Sequence, residues 1–215
     1  MKTGHPQDTT TLWAQAGKAT STGGESAESD RGEMPYGLLA QSAVFLLSCC
    51  SQEKPVDQFM ESIFESMRVN NHLYKQALVG LSEEELHRRA STNSNSMLFV
   101  AGHLVGSRCL IAELAGLECE NPWKRLFRRG STMKAPSIYP SVGEVVSLWD
   151  NVTSMLNPGL AEITVSRLAE PCPVDFPFRN KSTLGGITFL FYHETYHIGQ
   201  MGFLRTWLGH ESLVG

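Results

Sequence analysis

The chain has 215 residues, of which 41% are hydrophobic and 19% are charged, and its formal net charge is −4 at pH 7. This length fits one domain with an additional tail, and the slightly acidic balance gives no reason to expect a nucleic acid as a partner. The five cysteines form no CxxC pair, so we expect reduced thiols in a cytoplasmic protein rather than a disulfide framework. No apolar run reaches the roughly 20 residues that a membrane-spanning helix needs.

Residues 1–54 are predicted to be an extension outside the folded domain. Residues 1–33 carry almost no apolar side chains, so they cannot bury enough surface to order themselves and are predicted to be disordered. Residues 38–50 form a short apolar segment with two interpretations: the apolar region of a signal sequence, or an element that docks on the domain. Residues 46–49 resemble a lipoprotein cleavage box, but no basic region precedes them. We therefore expect a cytoplasmic protein, with an exported lipoprotein lipidated at Cys49 as the alternative.

Helical patterns begin after Pro55. Residues 56–79 repeat apolar side chains at spacings of three and four, which predicts an amphipathic helix that stops at Gly80. A capping box at residues 82–85 predicts a short helical turn. A second long helix is predicted at 97–117; it is apolar nearly all round and therefore central in a bundle.

Residues 118–181 are predicted to form a long connection (118–140), a third helix that begins at residue 141, and an extended stretch (170–181). Five basic residues lie in the connection: Lys124, Arg125, Arg128, Arg129 and Lys134. The first interpretation is a solvated face, and the second is a rim that attracts an anionic substrate. A capping box at 141–144 opens the third helix, which Pro158 is expected to kink or break. Residues 160–168 continue in helical turns, and the prolines of 170–181 favour an extended chain.

The last helix is predicted to begin at Ser182 or Thr183 and to end near Leu208. Because residues four apart share a helix face, His193 and His197 point the same way at a spacing suited to one metal ion. With Glu194 between them they also spell H-E-x-x-H, the zinc-protease signature. Only 18 residues follow His197 (215 − 197), which leaves no room for the downstream ligand of such proteases, and helices rather than strands precede the motif. The protease stays a minor alternative.

The third ligand is expected upstream, because a helical bundle builds metal sites from side chains on facing helices. Among the remaining histidines, only His103 lies inside an apolar helix, between Gly102 and Gly106. A glycine there lowers helix propensity by about 1 kcal/mol relative to alanine, which indicates close approach of a neighbour.

The sequence at residues 102–104 (Gly-His-Leu) and at residues 192–205, which read Tyr-His-Glu-Thr-Tyr-His-Ile-Gly-Gln-Met-Gly-Phe-Leu-Arg, resembles the DinB/YfiT-like superfamily. The resemblance covers residues 56–209. It implies an all-α, DinB-like antiparallel four-helix bundle at 55–215, often a homodimer. It also implies one divalent metal ion (Zn, Ni or Fe) held by three histidines, which are His103, His193 and His197.

In relatives with an assigned activity, the metal serves transfer of a low-molecular-weight thiol, thiol-dependent isomerisation or hydrolysis. The leading hypothesis is therefore a metal-dependent transferase or hydrolase acting on a small molecule; the alternative is a non-catalytic metal- or ligand-binding bundle. Glu194 is a weak catalytic candidate, because it faces about 100° away from His193 and is expected to hold a histidine N–H or to face solvent. Gln200, Tyr196 and Tyr192 are candidates for lining the pocket.

Overall fold

The structure is a computed structural model that describes residues 55–214. None of these residues forms a strand, and they fold into six α-helices: α1 (Pro55–Leu78), α2 (Glu83–His87), α3 (Met97–Ala115), α4 (Val142–Ala161), α5 (Val165–Ala169) and α6 (Thr183–Trp207). The all-α prediction is confirmed. The expectations for residues 1–54, including disorder and the apolar segment at 38–50, lie outside the described residues, and the boundary at residue 55 stays a prediction.

Serine caps define where four of the helices begin. Each serine hydroxyl accepts a hydrogen bond from the third backbone N–H of its helix, a contact that contributes about 1 kcal/mol. The caps are Ser82 for α2, Ser96 for α3, Ser141 for α4 and Ser182 for α6. Both predicted capping boxes are present, because the glutamates of α2 and α4 bond back to the capping residue. Gly116 and Gly209 follow α3 and α6 with left-handed φ angles of 87° and 95°. The predicted starts of α1, α3, α4 and α6, and the predicted ends of α1, α3 and α6, are therefore confirmed to within about two residues.

The connection after α3 determines the direction of α4. It runs back along α3, because the Phe127 carbonyl oxygen lies 2.9 Å from His103 Nδ1 and the Tyr139 ring lies 5.6 Å from the His87 ring. Consequently α4 starts beside the beginning of α3, and the two helices run in the same direction.

The α6 helix runs parallel to α1 and antiparallel to α3. Asn70 on α1 donates to Thr195 Oγ1 over 3.1 Å, and further along both helices Arg205 donates to the Val79 carbonyl over 2.7 Å. Against α3 the order reverses: His103 meets His193, whereas Leu114 lies beside Gly186. The bundle therefore consists of two parallel pairs, α1 with α6 and α3 with α4, that oppose each other.

The α3 helix lies at the centre of the bundle, as predicted, with 14 of its 19 residues buried. By length and composition alone, α3 could span a membrane. This corrects the expectation that no segment of the sequence is long and apolar enough to do so. Its most apolar window is 78% buried inside the bundle, so contacts with α4 and α6 account for that character. A Cβ atom at Gly102 would overlap the Phe127 ring. The neighbour that approaches this glycine closely is therefore the connection after α3, not another helix.

Two expectations about local structure are corrected. The break that was one of the two expected effects of Pro158 is absent, because α4 continues to Ala161 and Pro158 lies in its last turn, where only one hydrogen bond is lost. Cys109 and Cys119 form a disulfide with a Cα–Cα distance of 5.4 Å, whereas reduced thiols were expected. The turn at Gly116 brings Cys119 back beside Cys109 on α3. A search for CxxC spacing does not detect this pair, because the two cysteines are 10 residues apart.

Candidate metal centre

Two helices bring the three predicted ligands together. His193 and His197 lie one turn apart on α6, and His103 faces them from α3. The ligand atoms of all three lie within 4.8 Å of one another, and His103 Nε2 is 3.0 Å from His193 Nε2. Two nitrogens on one tetrahedral zinc ion are separated by about 3.3 Å, given Zn–N bonds of about 2.05 Å. The side chains could therefore hold a metal ion with little rearrangement.

Hydrogen bonds orient two of the three rings. His103 Nδ1 lies 2.9 Å from the Phe127 carbonyl oxygen, and His197 Nδ1 lies 2.8 Å from Gln200 Oε1. A carbonyl oxygen only accepts, so each Nδ1 carries the proton and donates it. Each Nε2 is consequently unprotonated and carries a lone pair, which in His103 is directed at His193 Nε2 over 3.0 Å. Partners of this kind fix the tautomer and the ring orientation of metal-binding histidines.

The electrostatic environment keeps the three imidazoles neutral. Burial lowers the pKa of His193 to about 4, and the neighbouring charges of His197, His103 and Arg129 contribute to the shift. Burial likewise lowers the pKa of His103 and of His197 below the ordinary value, although the bonds to Phe127 and Gln200 oppose the shift. A metal ion binds the neutral form of imidazole, so the site is ready for a metal at neutral pH.

The donor set fits a divalent transition metal. Three imidazoles leave coordination positions open for water or a substrate, as in catalytic zinc sites. Imidazole suits Zn, Ni, Fe and Cu alike, so the residues do not identify the ion.

Glu194 lies on another face of α6 from the two histidines. Its side chain is 0% exposed, and both carboxylate oxygens accept hydrogen bonds from Arg108, at 2.8 Å and 2.9 Å. This corrects the expectation that Glu194 holds a histidine N–H or faces solvent. The reason is the step of about 100° per helical residue, which turns Glu194 from the histidine face into the core.

The sequence reading missed Arg108, which contacts all three other long helices. Besides its bonds to Glu194 on α6, the Arg108 guanidinium donates to Thr153 on α4 and to the Met67 carbonyl oxygen on α1, the latter over 3.4 Å. It also stacks on the Trp149 ring of α4, 3.5 Å from the ring centroid. An arginine inside an apolar helix was a signal that could have been used, because a buried charge requires a partner.

The other candidate residues lie at different distances from the histidines. Gln200 bonds to His197 directly, and the Tyr196 ring centroid is 5.1 Å from that of His197, although Tyr196 is 64% exposed. Tyr192 is 56% exposed and lies beside Phe178. Their role in lining a substrate pocket stays a prediction. Phe189, stacked 5.9 Å from His193, was not foreseen.

The fold and the site together define a helical-bundle protein with a three-histidine candidate metal centre. The chain belongs to the DinB superfamily, whose family model matches residues 67–201 and thus includes all three histidines. The chain is similar in fold to a DinB-like protein from Bacillus cereus ATCC 10987, with a TM-score of 0.52 and 20% sequence identity over 73% of this chain and 94% of that one. No curated protein matches the sequence significantly. The family resemblance is therefore confirmed.

Proposed function

We propose that the protein is a divalent-metal-dependent enzyme of the thiol-dependent transferase or hydrolase type that acts on a small molecule. The observation that carries the proposal is the cluster of three neutral histidines, two of which are oriented by bonds at Nδ1. A divalent ion at this cluster would supply Lewis acidity, which promotes loss of a proton from a thiol or a water molecule near neutral pH.

The side chains around the histidines have separate roles in this proposal. His103, His193 and His197 bind the ion, and Gln200 together with the Phe127 carbonyl holds two of the rings. Glu194 is not available as a general base, because both of its oxygens are bonded to Arg108 in the core. This arrangement argues against the zinc-protease alternative, in which the glutamate of the motif must act beside the metal.

Metal analysis of single variants tests the ligand set. The purified chain is expected to carry about one divalent ion, as a three-histidine site does. His103→Ala should lose most of that metal, whereas His72→Ala, at an exposed position on α1, should keep it. A His103→Ala protein with the parent's metal content would show that the third ligand is wrong. A screen of low-molecular-weight thiols then tests for turnover that depends on the metal.

A non-catalytic metal- or ligand-binding protein is the second candidate. Chelation separates the two, because a structural site should unfold when the metal is removed, while an open catalytic site should lose activity and keep its helices. Arg108 on α3 joins α6 through Glu194 and α4 through Trp149, and none of these contacts involves a histidine. They support a bundle that stays folded without metal.

The exposed face of α6 supports a homodimer as the assembled form. Phe203 is 60% exposed, Tyr192 and Tyr196 share its side of the helix, and a Cβ at Gly199 would meet no atom within 4 Å. Exposed aromatic surface of this kind is typical of an interface. Sedimentation of Phe203→Glu should yield monomer if this face pairs, and an unchanged dimer would place the interface elsewhere.

The cytoplasm is kept as the proposed location, and the exported lipoprotein is the alternative that the Cys109–Cys119 disulfide favours. Mass spectrometry of the native N-terminus distinguishes them: a diacylated Cys49 supports export, and an N-terminal peptide that retains residues 34–48 contradicts it.

A further inference from the structure

A groove on the surface of the bundle lies between α1, α6 and the segment that follows α6. Its volume is about 420 Å³, which falls within the range of about 300–1,000 Å³ that small-molecule sites have. The histidine cluster lies between α3 and α6 instead, so the groove is a separate feature of the molecule. None of the described residues that line the groove is charged, and most of them are apolar residues or glycines.

Two glycines of α6 and the returning chain after α6 shape this groove. A Cβ atom at Gly199 would meet no atom within 4 Å, so the missing side chain leaves open space there. A Cβ atom at Gly202 would lie 3.4 Å from Leu213 Cδ1, because the chain folds back after α6. His210 Nε2 lies 3.0 Å from Glu85 Oε1 and holds the returning segment in place. Leu213 thereby forms one wall of the groove.

Hydrogen bonds fix the orientation of the Asn70 side chain, which also lines the groove. Asn70 Nδ2 donates to Thr195 Oγ1 over 3.1 Å, and the Thr195 hydroxyl donates to the Phe191 carbonyl oxygen over 3.1 Å. A hydroxyl has one proton, so Thr195 can only accept from Asn70. The amide nitrogen of Asn70 therefore faces Thr195, and Oδ1 is left on the other side of the amide.

Asn70 Oδ1 presents an unpaired acceptor to the groove. It has no hydrogen-bond partner among residues 55–214, although Asn70 is only 3% exposed. Within these residues, each side-chain nitrogen or oxygen that is sealed from solvent has a partner, so Oδ1 must reach accessible space. The groove provides that space. An acceptor left unpaired at a buried residue costs free energy, which a ligand that donates a hydrogen bond would recover.

We propose that this groove is a second binding site, which takes a neutral small molecule with an apolar body and one N–H or O–H donor. The donor bonds to Asn70 Oδ1, and the apolar body packs against Leu73 and Ile198. A charged ligand is disfavoured, because no described residue of the groove offers the opposite charge. The site goes beyond the proposed function and does not depend on a metal ion at the histidines.

Two bicyclic probes of nearly the same shape test the proposal: indole, which has an N–H donor, and benzofuran, which has an oxygen in its place. We would titrate each into the full-length chain with zinc present and follow the amide signals of Gly199, Gly202 and the Asn70 side chain by NMR. Indole should shift these signals and bind about fivefold more tightly than benzofuran, as one net hydrogen bond allows. Asn70→Leu should abolish this preference and leave benzofuran binding unchanged. Asn151→Leu, at an exposed position of α4, is the matched control and should keep the preference.

Gly199→Leu supplies a test that does not depend on the folding of Asn70→Leu. The new side chain enters open space, so the bundle should stay folded while neither probe shifts the Gly202 signal. Any of four results overturns the proposal: a parent whose groove signals do not respond to indole, equal affinity of the parent for the two probes, the parent's preference in Asn70→Leu, or the parent's indole affinity in Gly199→Leu. Groove signals that shift with protein concentration and not with indole would show that a second copy occupies the groove, which also overturns it.

Discussion

Replacing Glu194 with glutamine should strongly destabilise the bundle, although glutamine has nearly the same shape. Glu194 and Arg108 are both 0% exposed, and the substitution leaves the arginine charge buried without a counter-charge. Breaking a buried ion pair in this way costs about 3–5 kcal/mol, out of a total of about 5–15 kcal/mol for a domain. For a domain of this size each kcal/mol lowers Tm by about 2–4 °C, so Glu194→Gln should lower Tm by about 6–20 °C.

The double variant Arg108→Met, Glu194→Leu is the matched comparison. It removes both charges and keeps apolar volume, a replacement that is often nearly neutral for stability. Few polar groups are left without partners, because the Thr153 hydroxyl still donates to the Trp149 carbonyl over 2.7 Å and Trp149 Nε1 still donates to Asn71. We therefore expect the double variant to be clearly more stable than Glu194→Gln.

Urea unfolding in the presence of a chelator is the suitable assay, because it excludes stabilisation by bound metal. A Glu194→Gln protein that unfolds at the parent's urea concentration would refute the reasoning, since it would show that the buried charge needs no partner. A double variant as unstable as the single one would show that packing and hydrogen bonds, rather than the unpaired charge, account for the loss.

Three further predictions concern separate parts of the fold. Hydrogen bonds from Ser82, which caps α2, and from His210, which follows α6, lower the pKa of Glu85 from 4.5 to about 2. The contribution of Glu85 to stability is therefore present above pH 4.5 and lost as pH falls towards 2, so Glu85→Gln should flatten that part of a Tm–pH profile. Reducing the Cys109–Cys119 disulfide should cost about 3 kcal/mol, measured by urea unfolding with and without reductant. Gln200→Ala should weaken metal binding about tenfold by releasing His197, measured by competition with a chelator.

Local signals made much of the fold predictable. A serine followed three residues later by glutamate marked the starts of α2 and α4, and glycine marked the ends of α1 and α6, because caps depend on residues close in sequence. The pairing of two histidines on α6 was predictable for the same reason, since helical spacing alone places His193 beside His197.

Contacts between distant segments were not predictable in the same way. Arg108 and Glu194 are 86 residues apart, and no periodic pattern links them. The Phe127 carbonyl reaches His103 only because the connection folds back along α3 and Gly102 leaves room for the Phe127 ring. Such contacts depend on the path of the chain in space, so they appear only once the helices are packed.

The H-E-x-x-H motif shows why helix spacing alone does not assign chemistry. The two histidines must share a face, but the glutamate lies about 100° away, and its role depends on what that second face meets. Here α3 opposes both faces: His103 completes the histidine cluster, and Arg108, on the same helix, binds Glu194. The same helix pair thus brings the third histidine to the cluster and holds the glutamate away from it. In this bundle the buried Arg108 binds the glutamate of the motif, so the H-E-x-x-H spacing by itself does not indicate a protease.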